Sequence, residues 1–248
     1  MQTTASNRIR PLMALAAFRK LIKNPEDTHQ VFMIGEALRG NSLARVTERF
    51  RGTELGREVL AGRHVLLPLL ADRTALAALP AGSLGRAYLD FVVAESLSAH
   101  GLAEAARKRD EMSQATPDEQ NFRRHLRDSH DLWHVLTGYG RDPLGEVSLL
   151  AFTFAQTRLT GLGAIALLGT FRIGRVLRGQ PVRAAAQDAY RTGRAAQWLP
   201  AVDWNTLLGC DLERVRGKLG LPAPDRYKRI VRQVGDIGSG ARSAVQTR

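Results

Sequence analysis

The chain has a single cysteine in 248 residues, Cys210. It cannot pair within its own chain, so a disulfide-stapled scaffold is excluded. A cysteine-rich zinc module is excluded for the same reason, and any metal site must draw on the six histidines and on carboxylates. Aromatics are sparse at 6%, and no recognisable nucleic-acid module is present, so no nucleic-acid partner is expected. Long apolar runs are missing too. The best, residues 159–171, lies between Arg158 and Arg172 and falls short of the roughly 20 residues a membrane span needs. Strand-like alternation is scarce, and no internal repeat is visible.

Acidic residues are also in short supply, 24 against 36 basic ones, for a formal net charge of +12. The deficit is uneven. Residues 1–157 carry 20 basic and 18 acidic side chains, and residues 158–248 carry 16 and 6. A basic second part suits an anionic partner. Arg172, Arg175 and Arg178 beside an apolar helix fit an anionic membrane surface.

Helical periodicity dominates what remains. The expected architecture is all-α, a single-domain multi-helix bundle over residues 1–235, with a polar tail at 236–248 read as disordered. Pro25 ends the first helix, and Asn41 or Ser42 caps a helix ending near Gly52. Ser83 caps another. Residues 118–136 read as one strong helix ended by Gly138 and Gly140, and Pro143 suits the first turn of the next. Later helices are expected near 163–178, 182–197 and 204–219, and Cys210 is expected as a buried thiol. The stretch from His100 to Pro117 reads as a helix end and a loop.

One cluster carries chemistry. His130 and His134, in SHDLWH, are spaced i, i+4 and share a helix face. Asp131, about 100° round the helix, either reaches the same cation or orients its ligands. Glu146 falls in the first turn of the next helix, where a glycine-containing turn brings its carboxylate back over the imidazoles. Two His, one Asp and one Glu make a divalent-metal site. Tyr139 and Arg141 lie in the loop over it as candidate substrate contacts, and Arg123, Arg124 and Arg127 form a charged face on the same helix.

The pattern H-D-x-x-H, eleven residues, then E resembles the coenzyme Q (ubiquinone) biosynthesis protein four family, the Coq-four family. NPEDTHQVFMIGEALRG, LPAGSLGRAYLDFV, RDSHDLWHVLTGYGRDPLGE and DWNTLLGCDLERVRGKLG look like that family in the same order, over roughly residues 11–222. The resemblance implies a helical protein peripheral to membranes, with His130, Asp131, His134 and Glu146 as metal and catalytic residues, zinc being the usual ion. Iron or manganese suits the same ligand type on physical grounds. It implies a polyprenylated 4-hydroxybenzoate-type substrate that loses its C1 carboxyl group, with a hydroxyl put in its place. An apolar cavity for the polyprenyl tail, other ubiquinone biosynthesis proteins as partners and a homodimer are implied likewise. Because the resemblance begins near residue 11, a bacterial cytoplasmic protein peripheral to the inner membrane is expected.

Two other readings compete. A non-catalytic lipid-binding scaffold would use the same tail cavity and membrane face. An HD-type phosphohydrolase would need His100 and Asp188 or Asp203 at the metal beside His130-Asp131. Three weaker features are assigned bland roles. Gly161, Gly163 and Ala166 imitate a dinucleotide fingerprint without the preceding strand, and read as close helix packing. The segment around them, with Leu149, Phe152 and Phe154, lines either the core or a lipid channel. Ser83 reads as an ordinary N-cap rather than an anion site.

Overall fold

Several helices begin where a short polar side chain accepts a free amide of the first turn. Thr53 accepts from Gly56, Asp72 from Ala75, Ser83 from Arg86, Asp142 from Leu144 and Gly145, and Asp211 from Arg214. Thr116 and Glu119 form a reciprocal capping box, with Pro117 in the first turn. The computed structural model describes residues 9–23, 28–38, 40–95 and 115–245. Among them it contains fourteen α-helices and two short 3-10 turns, with no strand. The helices are α1 (Pro11–Lys23), α2 (Thr28–Ala37), α3 (Ser42–Arg51), α4 (Glu54–Leu60), α5 (Leu67–Ala71), α6 (Arg73–Ala78) and α7 (Leu84–Ala94). After them come α8 (Pro117–Asp128), α9 (His130–Thr137), α10 (Pro143–Thr157), α11 (Thr160–Val176), α12 (Val182–Ala195), α13 (Leu212–Leu219) and α14 (Asp225–Val245). The all-α expectation holds.

The hub is α10, most of whose side chains are buried, packed between α11 and α12. Trp133, Leu136, Phe152 and Trp204 centre the main core, which joins α7, α9, α10, α12 and α13. A smaller cluster of Leu43, Val46, Phe50, Val59, Leu60 and Phe122 seats α3 and α4 against α8. The GxGxxA segment is helical. A Cβ on Gly161 would lie 2.9 Å from the Gly35 backbone and one on Gly163 2.8 Å from the Phe154 ring, so Gly161 lets α11 approach α2 and Gly163 lets it approach α10. Leu149 and Phe152 are buried core residues, because they lie on the side of α10 that meets its neighbours.

Three sequence expectations need correction. The helix expected over 118–136 starts at Pro117 and is interrupted at Ser129, giving α8 and α9. The Ser129 hydroxyl donates back to the His125 and Leu126 carbonyls at 2.9 and 3.1 Å, and such back-bonding bends helices. The helix expected over 204–219 is a 3-10 turn, Trp204–Thr206, followed by α13, because Asp211 restarts the helix as its N-cap. The backbone of α14 continues as helix to Val245. No proline stops it, and each glycine costs only about 1 kcal/mol. Cys210 is half-buried rather than buried, sitting in a turn with its thiol directed at the Thr206 carbonyl. The stretch expected as a loop from His100 lies largely outside the described residues, as does His100 itself.

Candidate metal centre

The break at Ser129 separates α9 from α8, and α9 carries His130, Asp131 and His134. Gly138, in the left-handed conformation (φ 72°), ends it. A short turn follows, and Asp142 caps α10, which places Glu146 in that helix's first turn. His130, His134 and Glu146 each present a ligand atom, all within 4.8 Å of one another. The imidazole rings lie edge to face, with centroids 4.7 Å apart. The His134 side chain is fully buried, whereas those of His130 and Glu146 are 40% and 34% exposed, so the cluster opens to one side.

Each ligand has a fixed neighbour. The His134 Nδ1–H donates to the Tyr139 carbonyl at 2.9 Å, which leaves the Nε2 lone pair facing Glu146. That Nε2 is buried, has no hydrogen-bond partner, and lies 3.7 Å from Glu146 Oε2. Asp131 stands outside the three-donor set. Its Oδ1 lies 3.2 Å from His130 Nδ1, the position of a carboxylate that orients a histidine ligand. Arg141 Nε approaches Glu146 Oε1 to 3.5 Å. Burial acts to raise the Glu146 carboxyl pKa, but His134 and His130 when protonated, with Arg141, outweigh it and hold the pKa below the ordinary value. A buried imidazole nitrogen with no partner beside an ionised carboxylate is a donor set that a divalent cation fits.

Three contributions were not legible in the spacing. Phe91 of α7 stacks on His134 with centroids 5.6 Å apart. Burial, with the nearby Asp131 and Asp128 charges, drives the Tyr88 hydroxyl pKa upward, so Tyr88 keeps its proton beside the site. Arg216 of α13 donates to the Leu136 and Val135 carbonyls at 2.9 and 2.7 Å and closes the C-terminus of α9. All three belong to segments whose resemblance to the Coq-four family was visible, but nothing in their spacing pointed at the metal.

The remaining candidates are engaged elsewhere. Asp188 pairs with Arg226 at 2.6 Å, and Asp203 caps a 3-10 turn with His64 4.0 Å away, so neither supplements His130-Asp131 as the phosphohydrolase reading needs. Tyr139 gives the site its carbonyl, while its ring packs on Tyr227 rather than toward substrate. The amides of Leu84 and Gly85 behind Ser83 bond the Cys210 and Leu208 carbonyls and are not free for an anion.

Comparison with known proteins adds the following. The family described as "Coenzyme Q (ubiquinone) biosynthesis protein Coq4" matches residues 2–225. A mitochondrial ubiquinone biosynthesis protein COQ4 of Mycosarcoma maydis is 30% identical over 171 residues, which is 69% of this chain and 44% of that one. Relatives of the same name are 25% identical in Aspergillus flavus (91% of this chain, 77% of that one) and 27% in Danio rerio (86% and 76%). The chain thus spans less than half the length of the first and about three quarters of the other two. A crystal structure of a Nostoc punctiforme protein assigned to ubiquinone biosynthesis superposes with a TM-score of 0.58 at 20% identity, covering 87% of this chain and all of that one, which shows the shared fold.

Proposed function

Because this chain belongs to the Coq4 family of coenzyme Q (ubiquinone) biosynthesis proteins, we propose that it is a metal-dependent decarboxylase that removes the C1 carboxyl group from a polyprenylated 4-hydroxybenzoate-type ring. The observation that carries this is the convergence of His130, His134 and Glu146 on one point, with the buried His134 Nε2 unpartnered there. These three hold the cation, and Asp131 holds His130 in register. The bound ion, zinc first and iron or manganese as alternatives, supplies Lewis-acid charge for carboxylate and phenolic oxygens, and in the redox-active forms a route to oxygen chemistry.

The chain's own groups do the rest. Arg141 adds positive charge at the open side, where an anionic ring carboxylate enters. Phe91 covers the buried face of His134 and keeps water from it. Glu146, ionised at neutral pH, offers its carboxylate to the cation without a competing proton. Loss of carbon dioxide breaks the bond between C1 and the carboxyl carbon and leaves the electron pair on the ring. A proton taken up there gives the decarboxylated ring. A hydroxyl there requires a two-electron oxidant of the dioxygen class as co-reactant.

A lipid-binding scaffold is the second reading, favoured by the surface of α11. Leu167 and Phe171 lie i, i+4 and are 71% and 63% exposed, and Val176 is 73% exposed beside Arg172, Arg175 and Arg178. That face suits an anionic bilayer, which would present prenylated intermediates to the site. A homodimer and contacts with other ubiquinone biosynthesis proteins complete the proposal. The test is single-turnover reaction of metal-loaded protein with a short-chain prenylated 4-hydroxybenzoate carrying a labelled carboxyl carbon. Labelled carbon dioxide from wild type, lost in folded Glu146→Gln, supports the enzyme. Substrate binding with no release in either favours the scaffold.

A further inference from the structure

The turn between the two ligand-bearing helices is tied down by a residue far away in the chain. Tyr227, in the first turn of the last helix, is 6% exposed, and its ring packs edge-on against Tyr139 at 5.3 Å. Its hydroxyl makes two bonds. It accepts the Gly140 N–H at 2.8 Å and donates to Asp142 Oδ2. The other oxygen of Asp142 accepts the Leu144 and Gly145 amides at 3.1 Å each and so starts the helix that carries Glu146. The peptide before Gly140 presents the Tyr139 carbonyl that takes the His134 Nδ1–H. One hydroxyl therefore fixes both ends of the arrangement, the carbonyl that selects the His134 tautomer and the cap that sets the height of Glu146.

We infer that Tyr227 is a positioning residue of the metal centre, a latch that holds His134 with Nε2 free and Glu146 opposite it. The inference rests on the metal-site reading above, and the chemistry is direct. Without the hydroxyl, the Gly140 N–H and one Asp142 oxygen lose their partner in a part-buried place. The turn can then rotate its peptides, and His134 can exchange Nδ1–H for Nε2–H, which puts a proton where a cation would bind. Groups outside the ligand set that orient it commonly change metal affinity by about 10–100-fold.

The experiment uses full-length Tyr227→Phe, which keeps the ring contact and removes only the oxygen, with Asp142→Asn as a second variant that keeps the capping oxygen. Leu43→Ala, in the separate cluster near α3, serves as a control for loss of stability. Two measurements are made. Side-chain 15N NMR of the metal-free protein reads the His134 tautomer, and cobalt(II) titration reads affinity and the d–d spectrum. The latch predicts Nδ1–H in wild type, a mixed tautomer in Tyr227→Phe, and at least a tenfold loss of cobalt affinity with an altered spectrum, none of which Leu43→Ala reproduces. A tautomer unchanged from wild type in Tyr227→Phe overturns the latch, and if that variant does not fold, the same result in Asp142→Asn does so. If wild type binds no cobalt while the tautomer still changes, the metal reading fails and the latch stands.

Discussion

Gly145 offers a test in which the sign alone is diagnostic. Replacing glycine by alanine inside a helix ordinarily stabilises by up to about 1 kcal/mol. Gly145 lies in the first turn of α10, directly before Glu146. A Cβ there would meet the Gly140 backbone at 2.0 Å from its oxygen, 2.7 Å from its carbon and 3.0 Å from its nitrogen. Ordinary contact begins at 3.4 Å, so the Gly140 peptide must withdraw by roughly 1.4 Å, the difference between 3.4 and 2.0 Å. It is not free to do so, because its N–H is held by Tyr227 and the preceding carbonyl holds His134. Overpacking of this kind costs about 1–3 kcal/mol. For a chain of this size that lowers Tm by roughly 2–12 °C. Metal affinity should fall by at least about tenfold, since both Glu146 and the His134 carbonyl partner move. Thermal melts by circular dichroism and competition against a chromophoric chelator read the two effects. Gly174→Ala is the matched control, because nothing lies within 4 Å of its Cβ and it sits inside α11. A Gly145→Ala protein that melts at or above wild type and binds metal equally well would refute the reasoning.

Three further outcomes are expected. His125 is buried, stacks on Phe50 and donates to the Pro200 carbonyl at 3.0 Å, and burial brings its pKa down to about 4 from 6.5. Since the unfolded chain takes the proton first, its contribution of about 3 kcal/mol is complete above pH 6.5, is lost as pH falls to about 4, and is flat below. Urea unfolding across that range should show a shallower slope in His125→Gln, and an unchanged slope would contradict the assignment. Arg216→Ala removes two part-buried bonds to the end of α9 and should cost about 2 kcal/mol, read from denaturant midpoints, with Arg216→Lys recovering only part of it. Phe171→Asp should reduce sedimentation with anionic vesicles without moving Tm, because its side chain is exposed, and equal sedimentation would place the membrane face elsewhere.

Much of the candidate site was readable because it is local in sequence. An i, i+4 histidine pair on one helix and a carboxylate in the first turn of the next are brought together by a short turn, and helix geometry does most of that work. The all-α architecture followed from periodicity in the same way. What escaped was long-range or depended on side-chain competition. Nothing in the run of residues 118–136 announces that Ser129 will bend back onto His125 and split the helix. Phe91, Arg216 and Tyr227 reach the site from separate helices, and their roles depend on how those helices pack. Asp131 was read as either a ligand or an orienting group, and its 3.2 Å contact with His130 Nδ1 corresponds to the second.

The measurement that bears most directly on the metal centre is ion content. Purified wild type would be analysed by elemental mass spectrometry and then by calorimetric titration with zinc, iron(II) and manganese(II), beside His134→Ala and Glu146→Gln, with circular dichroism reporting the fold of each. The account predicts about one divalent ion per chain in wild type and a loss of at least about tenfold in affinity in both variants while they stay helical. A wild-type protein that binds none of the three ions, or folded variants that bind them as tightly, would contradict it.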